Sequence, residues 1–155
     1  MRPLWQVANF VRSLRAQMRF GDLSRAPLRL LRLELEGESV ECDWMARPPD
    51  PWDADLPRQT AEHHSSLQAL EDAIAVRDLL FETLPEAQSA AFRVFRQTGR
   101  EPPELIIGGT VTRDAGGRQE VSSLAMRAKL CGLRFRLEDG ILEGLQSEEL
   151  AVLDR

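Results

Sequence analysis

The chain has 155 residues, of which 43% are hydrophobic and 29% charged, and its formal net charge at pH 7 is -5. This composition excludes wholesale disorder, and the negative charge opposes non-specific binding to nucleic-acid phosphates. A chain of this length is most simply one domain that is large enough for its own core, so we expect a single domain over residues 1–155. No apolar run approaches the ~20 residues that span a bilayer, and none precedes an A-x-A-like cleavage site.

Residues 4–19 are predicted to form an amphipathic helix. At ~100° per residue, its apolar side chains fall on one face, whereas Trp5, Arg12 and Arg19 lie outside that face. The first 21 residues contain arginines and no acid, a pattern also typical of transit peptides and membrane-surface helices. The apolar face is broad enough to pack on the domain, and we favour that interpretation.

A β-hairpin is predicted next, over residues 28–36 and 40–44, with Gly37-Glu38 as its turn. Apolar and charged residues alternate on both strands, which indicates one buried and one solvated face. Glu41 and Asp43 are expected on the solvated face. The buried face is expected to hold Leu31, Leu33, Leu35, Val40, Cys42 and Trp44.

The segment 41–57 has the most unusual composition, with two of the three tryptophans and four of the nine prolines. Prolines stiffen a loop and tryptophans supply contact area, so this segment is predicted to be an ordered recognition surface. Asp53 and Asp55 could together chelate a cation, but the EF-hand pattern is absent, and we expect Asp55 to cap the following helix. The predicted contact residues are Arg47, Asp50, Trp52 and Asp53.

Residues 59–83 are predicted to form a long helix, with His63 on its inner stripe. The run Thr83-Leu84-Pro85-Glu86 fits a capping box, which predicts a second helix to Thr98 and hence a central helical hairpin. Residues 105–112 are predicted to be a strand, in which Gly108-Gly109 permits a bulge or the close approach of another backbone.

Residues 122–130 fit a helix by composition and a strand by alternation, and we favour the strand. Strands at 133–137 and 141–145 are predicted to pair around Asp139-Gly140. The order of helix, hairpin, two helices and meander predicts an α+β fold. Its antiparallel sheet of about five strands would pack against the N-terminal helix and the helical hairpin.

The scarcity of lysine, asparagine and tyrosine indicates a bacterial origin. Lys129 and Asn9 are the only residues of their types and tyrosine is absent. These residues have AT-rich codons, so a GC-rich genome explains the many arginines without a nucleic-acid partner. Cys42 and Cys131 lack zinc-site spacing, and we expect two reduced, buried thiols in a cytoplasmic protein, with a single disulfide as the alternative.

No catalytic, phosphate-binding or metal-binding motif is present in the sequence. His63 and His64 are adjacent, so a helix points them about 100° apart and they cannot chelate one ion together. The expected role of His63 is a hydrogen bond near the helix start. The sequence lacks G-x-S-x-G, and its single lysine rules out a P-loop at either glycine pair. We therefore expect no metal and no cofactor.

These observations favour a non-enzymatic protein-interaction or assembly module, with a homodimer as one form. Trp5 beside Arg12 and Arg19 has the composition of a binding hot spot, and the acidic 47–57 loop offers the opposite charge.

Two alternatives remain. The first is a small-molecule enzyme near the Trp44–Trp52 loop, with Asp43, Asp50 or His63 as acid or base. The second is a nucleic-acid-binding protein whose N-terminal arginines join Arg29 and Arg32 on one face. An enclosed polar pocket beside residues 43–55 would favour an enzyme, and an exposed apolar patch would favour an interaction module.

Overall fold

A computed structural model describes residues 2–17, 28–48, 55–114 and 123–145. Three helices and seven strands occur in these ranges. In chain order they are α1 (Arg2–Gln17), β1 (Arg29–Glu36), β2 (Ser39–Met45), α2 (Arg58–Thr83), β3 (Ser89–Arg96), β4 (Glu104–Thr112), α3 (Leu124–Leu130), β5 (Leu133–Arg134), β6 (Leu137–Glu138) and β7 (Ile141–Leu142).

The architecture is α+β, as predicted, with a five-stranded sheet in the order β1-β2-β3-β4-β5 and a separate β6-β7 pair. The sheet is mixed, because β2 and β3 run parallel while the other neighbours are antiparallel. Helix α2 makes the crossover that a parallel pair requires. Among the described residues, no helix is both long and apolar enough to cross a membrane.

The predicted second helix of a helical hairpin is wrong, because residues 89–96 form β3. Every second side chain of this strand is buried, at Ala90, Phe92 and Val94, and the strand pairs with β2 on one side and β4 on the other. Pairing along both edges outweighs the helical propensity of its alanines. The Thr83 hydroxyl, predicted to cap that helix, instead donates to the Leu79 carbonyl at 2.9 Å.

The predicted N-terminal hairpin is confirmed, with corrections on both strands. The register shifts between Leu30 and Arg32, so Leu31 bulges out of the ladder and is 43% exposed, not buried as predicted. The other two residues predicted for the buried face of β1, Leu33 and Leu35, are half-buried. Asp43, expected on the solvated face, is 5% exposed. The three alternating residues predicted for the buried face of β2 are indeed buried: Val40, Cys42 and Trp44.

Helix α2 confirms the long helix predicted over residues 59–83, but Asp55 is not its cap. The N-cap residue is Pro57, which has no side-chain acceptor, and no side chain caps the helix. The predicted hydrogen bond of His63 is confirmed, since its Nδ1 lies 3.1 Å from the Gly140 carbonyl oxygen. Gly140 belongs to the predicted Asp139-Gly140 turn, which joins β6 to β7.

The strand favoured over residues 122–130 is wrong, and the helical alternative is correct. Ser123 is the N-cap of α3, and its side chain accepts a hydrogen bond from the Met126 amide at 3.3 Å. Local capping and helix-forming residues therefore outweigh the apparent alternation. Only Ala128 of this helix is fully covered, and α3 packs against α2.

The close backbone approach predicted at Gly108-Gly109 is confirmed at the junction of β4 and β5. A Cβ on Gly109 would lie 2.5 Å from the Gly132 carbonyl oxygen, and one on Gly132 would lie 2.2 Å from that of Thr110. Both glycines have positive φ, 111° and 109°. Side chains at these two positions would push β5 away from β4.

The core lies between the sheet and helices α1 and α2. Trp44 is fully buried and meets Phe92 edge to face, with ring centroids 5.0 Å apart. Cys42 and Cys131 are buried and form no disulfide, as favoured from the sequence. Burial raises the pKa of the Cys42 thiol to about 12 and also raises the pKa of Cys131, so both thiols are protonated at neutral pH.

Candidate binding site

The outer surface of α1 presents a tryptophan next to arginines. Trp5 is 66% exposed, and Arg12 and Arg15 are also exposed, at spacings that place all three along one side of the helix. The opposite side carries Phe10 and Leu14, which are buried where α1 packs on α2. We call Trp5, Arg12 and Arg15 the basic face of α1. Arg19, also predicted for this surface, lies outside the described residues.

The basic face of α1 has no ion-pair partner among the residues that the structure describes. Helix α1 contains no acidic residue, and neither Arg12 nor Arg15 forms an ion pair within the described ranges. An exposed indole gives a large apolar area that remains in contact with water until something covers it. This surface therefore combines the two residue types most enriched at protein–protein hot spots.

A second exposed surface has the opposite charge. At the turn of the β1–β2 hairpin, Glu36 and Glu38 are exposed and form no ion pair with any described residue. Arg32 lies farther along the hairpin and binds Glu34 at 2.7 Å and Glu41 at 2.8 Å. We call Glu36 and Glu38 the acidic hairpin tip. The sequence run Glu34–Glu41 already showed this excess of acid, but our sequence interpretation overlooked it in favour of the 47–57 loop.

Three residues of the predicted loop surface, Asp50, Trp52 and Asp53, lie outside the described residues. The structure places Arg47 in the interior, where it is 4% exposed. Its Nε donates to Asp72 Oδ2 at 2.7 Å and its Nη2 donates to Asp72 Oδ1 at 3.3 Å. The Gln68 side chain donates to the same carboxylate at 2.9 Å. Arg47 thus ties the chain after β2 to helix α2.

A cavity of about 900 Å³ opens where β2 and β3 end and β1 and β4 begin. A crevice is expected there, because the chain leaves a parallel strand pair at the carboxyl ends of its strands. The first turns of α2 form another wall through Arg58, Glu62 and Ser65. The apolar lining consists of Leu28, Met45, Ala46, Pro48 and Ile141.

The charged lining of this cavity is mostly paired. Besides Arg47, three arginines and two glutamates line it. Arg58 binds Glu62 at 3.0 Å, and Arg96 Nε donates to Glu104 at 2.9 Å. The remaining arginine of the lining, Arg29, is exposed and has no ion-pair partner in the ranges that the structure describes.

The acid and base candidates have structural partners elsewhere. Asp43 accepts two hydrogen bonds from Arg93, at 3.1 Å from Nε and 2.5 Å from Nη2, on the sheet face opposite Trp44. His63 is held by the Gly140 carbonyl, and Asp50 lies outside the described residues. Asp43 and His63 are therefore each held by a different partner, Arg93 for Asp43 and Gly140 for His63. Within the described residues, no three His, Cys, Asp or Glu side chains are grouped closely enough to hold a metal ion.

No protein-family model, curated protein or solved structure matches this chain.

Proposed function

We propose that this protein is a non-enzymatic assembly module that associates with a second copy of itself through the basic face of α1. The observation that carries the proposal is Trp5, which is 66% exposed on a helix whose other side is buried. Burial of such a tryptophan at the centre of an interface is worth about 2 kcal/mol or more.

Charge complementarity supports a second copy as the partner. Each protomer carries the basic face of α1 and, on another element, the acidic hairpin tip. In a two-fold symmetric dimer, the basic face of one protomer meets the acidic tip of the other, and symmetry repeats the contact. The net charge of -5 makes two copies repel at long range, so association depends on this local pairing.

The alternative activities are less well supported. The carboxylates that line the cavity form ion pairs with arginines, and Asp43 is bound by Arg93, so these pairs give the carboxylates structural roles. A nucleic-acid surface would need Arg32, which Glu34 and Glu41 neutralise. We further propose a bacterial cytoplasmic setting, which the arginine-rich composition and the two free thiols support.

Sedimentation equilibrium of charge-reversal variants tests the proposed dimer. The wild-type mass is expected to rise toward that of a dimer with concentration. Replacing Arg12→Glu and Arg15→Glu should weaken association at least tenfold, because each new carboxylate faces the acidic tip. Adding Glu36→Arg and Glu38→Arg to that variant should restore association, because the basic and acidic surfaces have then exchanged their charges.

The matched control is Arg100→Glu, which makes the same kind of charge change in the exposed β3–β4 turn, outside both surfaces. It should leave the dissociation constant unchanged. A wild-type protein that stays monomeric, or a charge exchange that fails to restore association, would contradict the proposed dimer.

A further inference from the structure

The cavity at the end of the sheet is separate from the basic face of α1, since none of the described α1 residues lines it. Its volume of about 900 Å³ falls within the range of small-molecule pockets, roughly 300–1,000 Å³. Its wall combines apolar side chains with guanidinium groups. We propose that this cavity binds a small amphiphile that has an apolar body and one carboxylate group.

The charge count of the lining points to a single anionic group. Four arginines line the cavity, and Asp72, Glu62 and Glu104 bind three of them. Counted over the residues that the structure describes, one positive charge, that of Arg29, is left over. An arginine presents parallel N–H donors that match the two oxygens of a carboxylate, and such charge-assisted bonds are stronger than neutral ones. Arg29 is therefore the residue that we assign to the ligand carboxylate.

The position of Arg29 places this charge next to the apolar wall. Arg29 opens β1 and pairs in register with Met45 at the end of β2, so both residues lie at the cavity end of the sheet. Met45 and Ile141 are half-buried, and the flexible thioether of methionine adapts to ligand bodies of different shape. Each ligand methylene that becomes buried there should raise the affinity about fourfold.

The first turns of α2 add to the positive potential of the cavity. Arg58, Glu62 and Ser65 come from these turns, and the helix N-terminus has no capping side chain. The positive end of the helix dipole therefore favours an anion and disfavours a cation. Binding rather than turnover is expected, because the carboxylates of the lining are held by arginines and no histidine contributes to the described lining.

Isothermal titration calorimetry with three ligands of equal chain length tests the proposal. Dodecanoate, dodecanol and dodecylammonium have the same apolar body with a negative, a neutral and a positive end. The two ions are used below their critical micelle concentrations and dodecanol is used below its solubility limit. Dodecanoate should bind most tightly and dodecylammonium most weakly. Equal affinity for all three would show non-specific hydrophobic binding and overturn the proposal, as would the absence of binding by dodecanoate.

Two variants locate the ligand. Arg29→Gln should weaken dodecanoate about tenfold and leave dodecanol unchanged, since only the charged group is lost. Ser65→Trp should fill the cavity and abolish binding of both ligands. Arg134→Gln, an exposed arginine outside the lining, is the control and should change neither affinity. An Arg29→Gln variant that binds dodecanoate like the wild type would overturn the assignment of the ligand to this cavity. A Ser65→Trp variant that still binds dodecanoate would do the same.

Discussion

At the scale of single residues, the sequence pattern predicted the burial of apolar side chains on β2 correctly and the burial of charged side chains poorly. Trp44 is buried as its alternation with Cys42 requires, because a strand points every second side chain to the same face. Asp43 and Arg47 follow no such rule. Each is buried because a partner distant in sequence, Arg93 or Asp72, neutralises its charge. A sequence gives no local signal for such pairs.

The contribution of Trp44 to stability should be large. Trp44→Ala removes a side chain that is fully buried against Phe92, and the free energy of unfolding is expected to fall by roughly 3–5 kcal/mol. Urea denaturation followed by circular dichroism measures the change. Trp5→Ala is the matched control, because Trp5 is 66% exposed, and at monomer concentrations its effect should stay within about 0.5 kcal/mol. An equally stable Trp44→Ala protein would contradict the core assignment.

The buried Cys42 thiol should make stability depend on alkaline pH. Its pKa rises from 9.0 to about 12 because burial disfavours the thiolate. Below pH 9 both states hold the proton, and above it only the unfolded state releases it, so stability should fall by about 1.4 kcal/mol per pH unit. Urea denaturation of wild type and Cys42→Ala over this range separates the effect from other groups, since the variant lacks it. If the free energy of unfolding depends on pH in the same way in both proteins, the raised pKa of Cys42 would be contradicted.

At the scale of elements, the hairpin β1–β2 and helices α1 and α2 were predictable because their periodic patterns are local. The identity of β3 was not. Its residues fit a helical period as well as alternation. Its pairing with β4, the next strand, and with β2, which lies far from it in sequence, decided the outcome. For α3 the local signals were sufficient, but the expectation of a meander outweighed the Ser123 cap in our interpretation.

The β4–β5 junction should be intolerant of side chains. Gly132→Ala places a Cβ 2.2 Å from the Thr110 carbonyl oxygen, so β5 must move away from β4. Gly37→Ala is the matched control, because Gly37 also has positive φ but has open space around it, and it should cost about 1 kcal/mol. The loss for Gly132→Ala should be clearly larger in urea denaturation, with faster hydrogen exchange in β4. Similar losses for both variants would show that the backbone contact has no importance.

At the scale of the whole molecule, the sequence predicted the α+β class but not the crossover that makes β2 and β3 parallel. Strand order depends on contacts between distant segments, which a single sequence does not reveal. The candidate site divides in the same way. Trp5 and Arg12 were predicted from the period of one helix, whereas the cavity brings together residues from β1, β2, β3, β4, β7 and α2. No local pattern could have revealed the cavity.

The central claim is that the protein assembles through the basic face of α1, and one measurement tests it most directly. Sedimentation equilibrium of the wild type and Trp5→Ala, compared over the same wide concentration range, gives the dissociation constant of each. The account predicts a wild-type dimer that Trp5→Ala weakens by about thirtyfold, the equivalent of roughly 2 kcal/mol, while the monomer unfolds at the same urea concentration. Identical association of the two proteins, or a wild type that remains monomeric throughout, would contradict it.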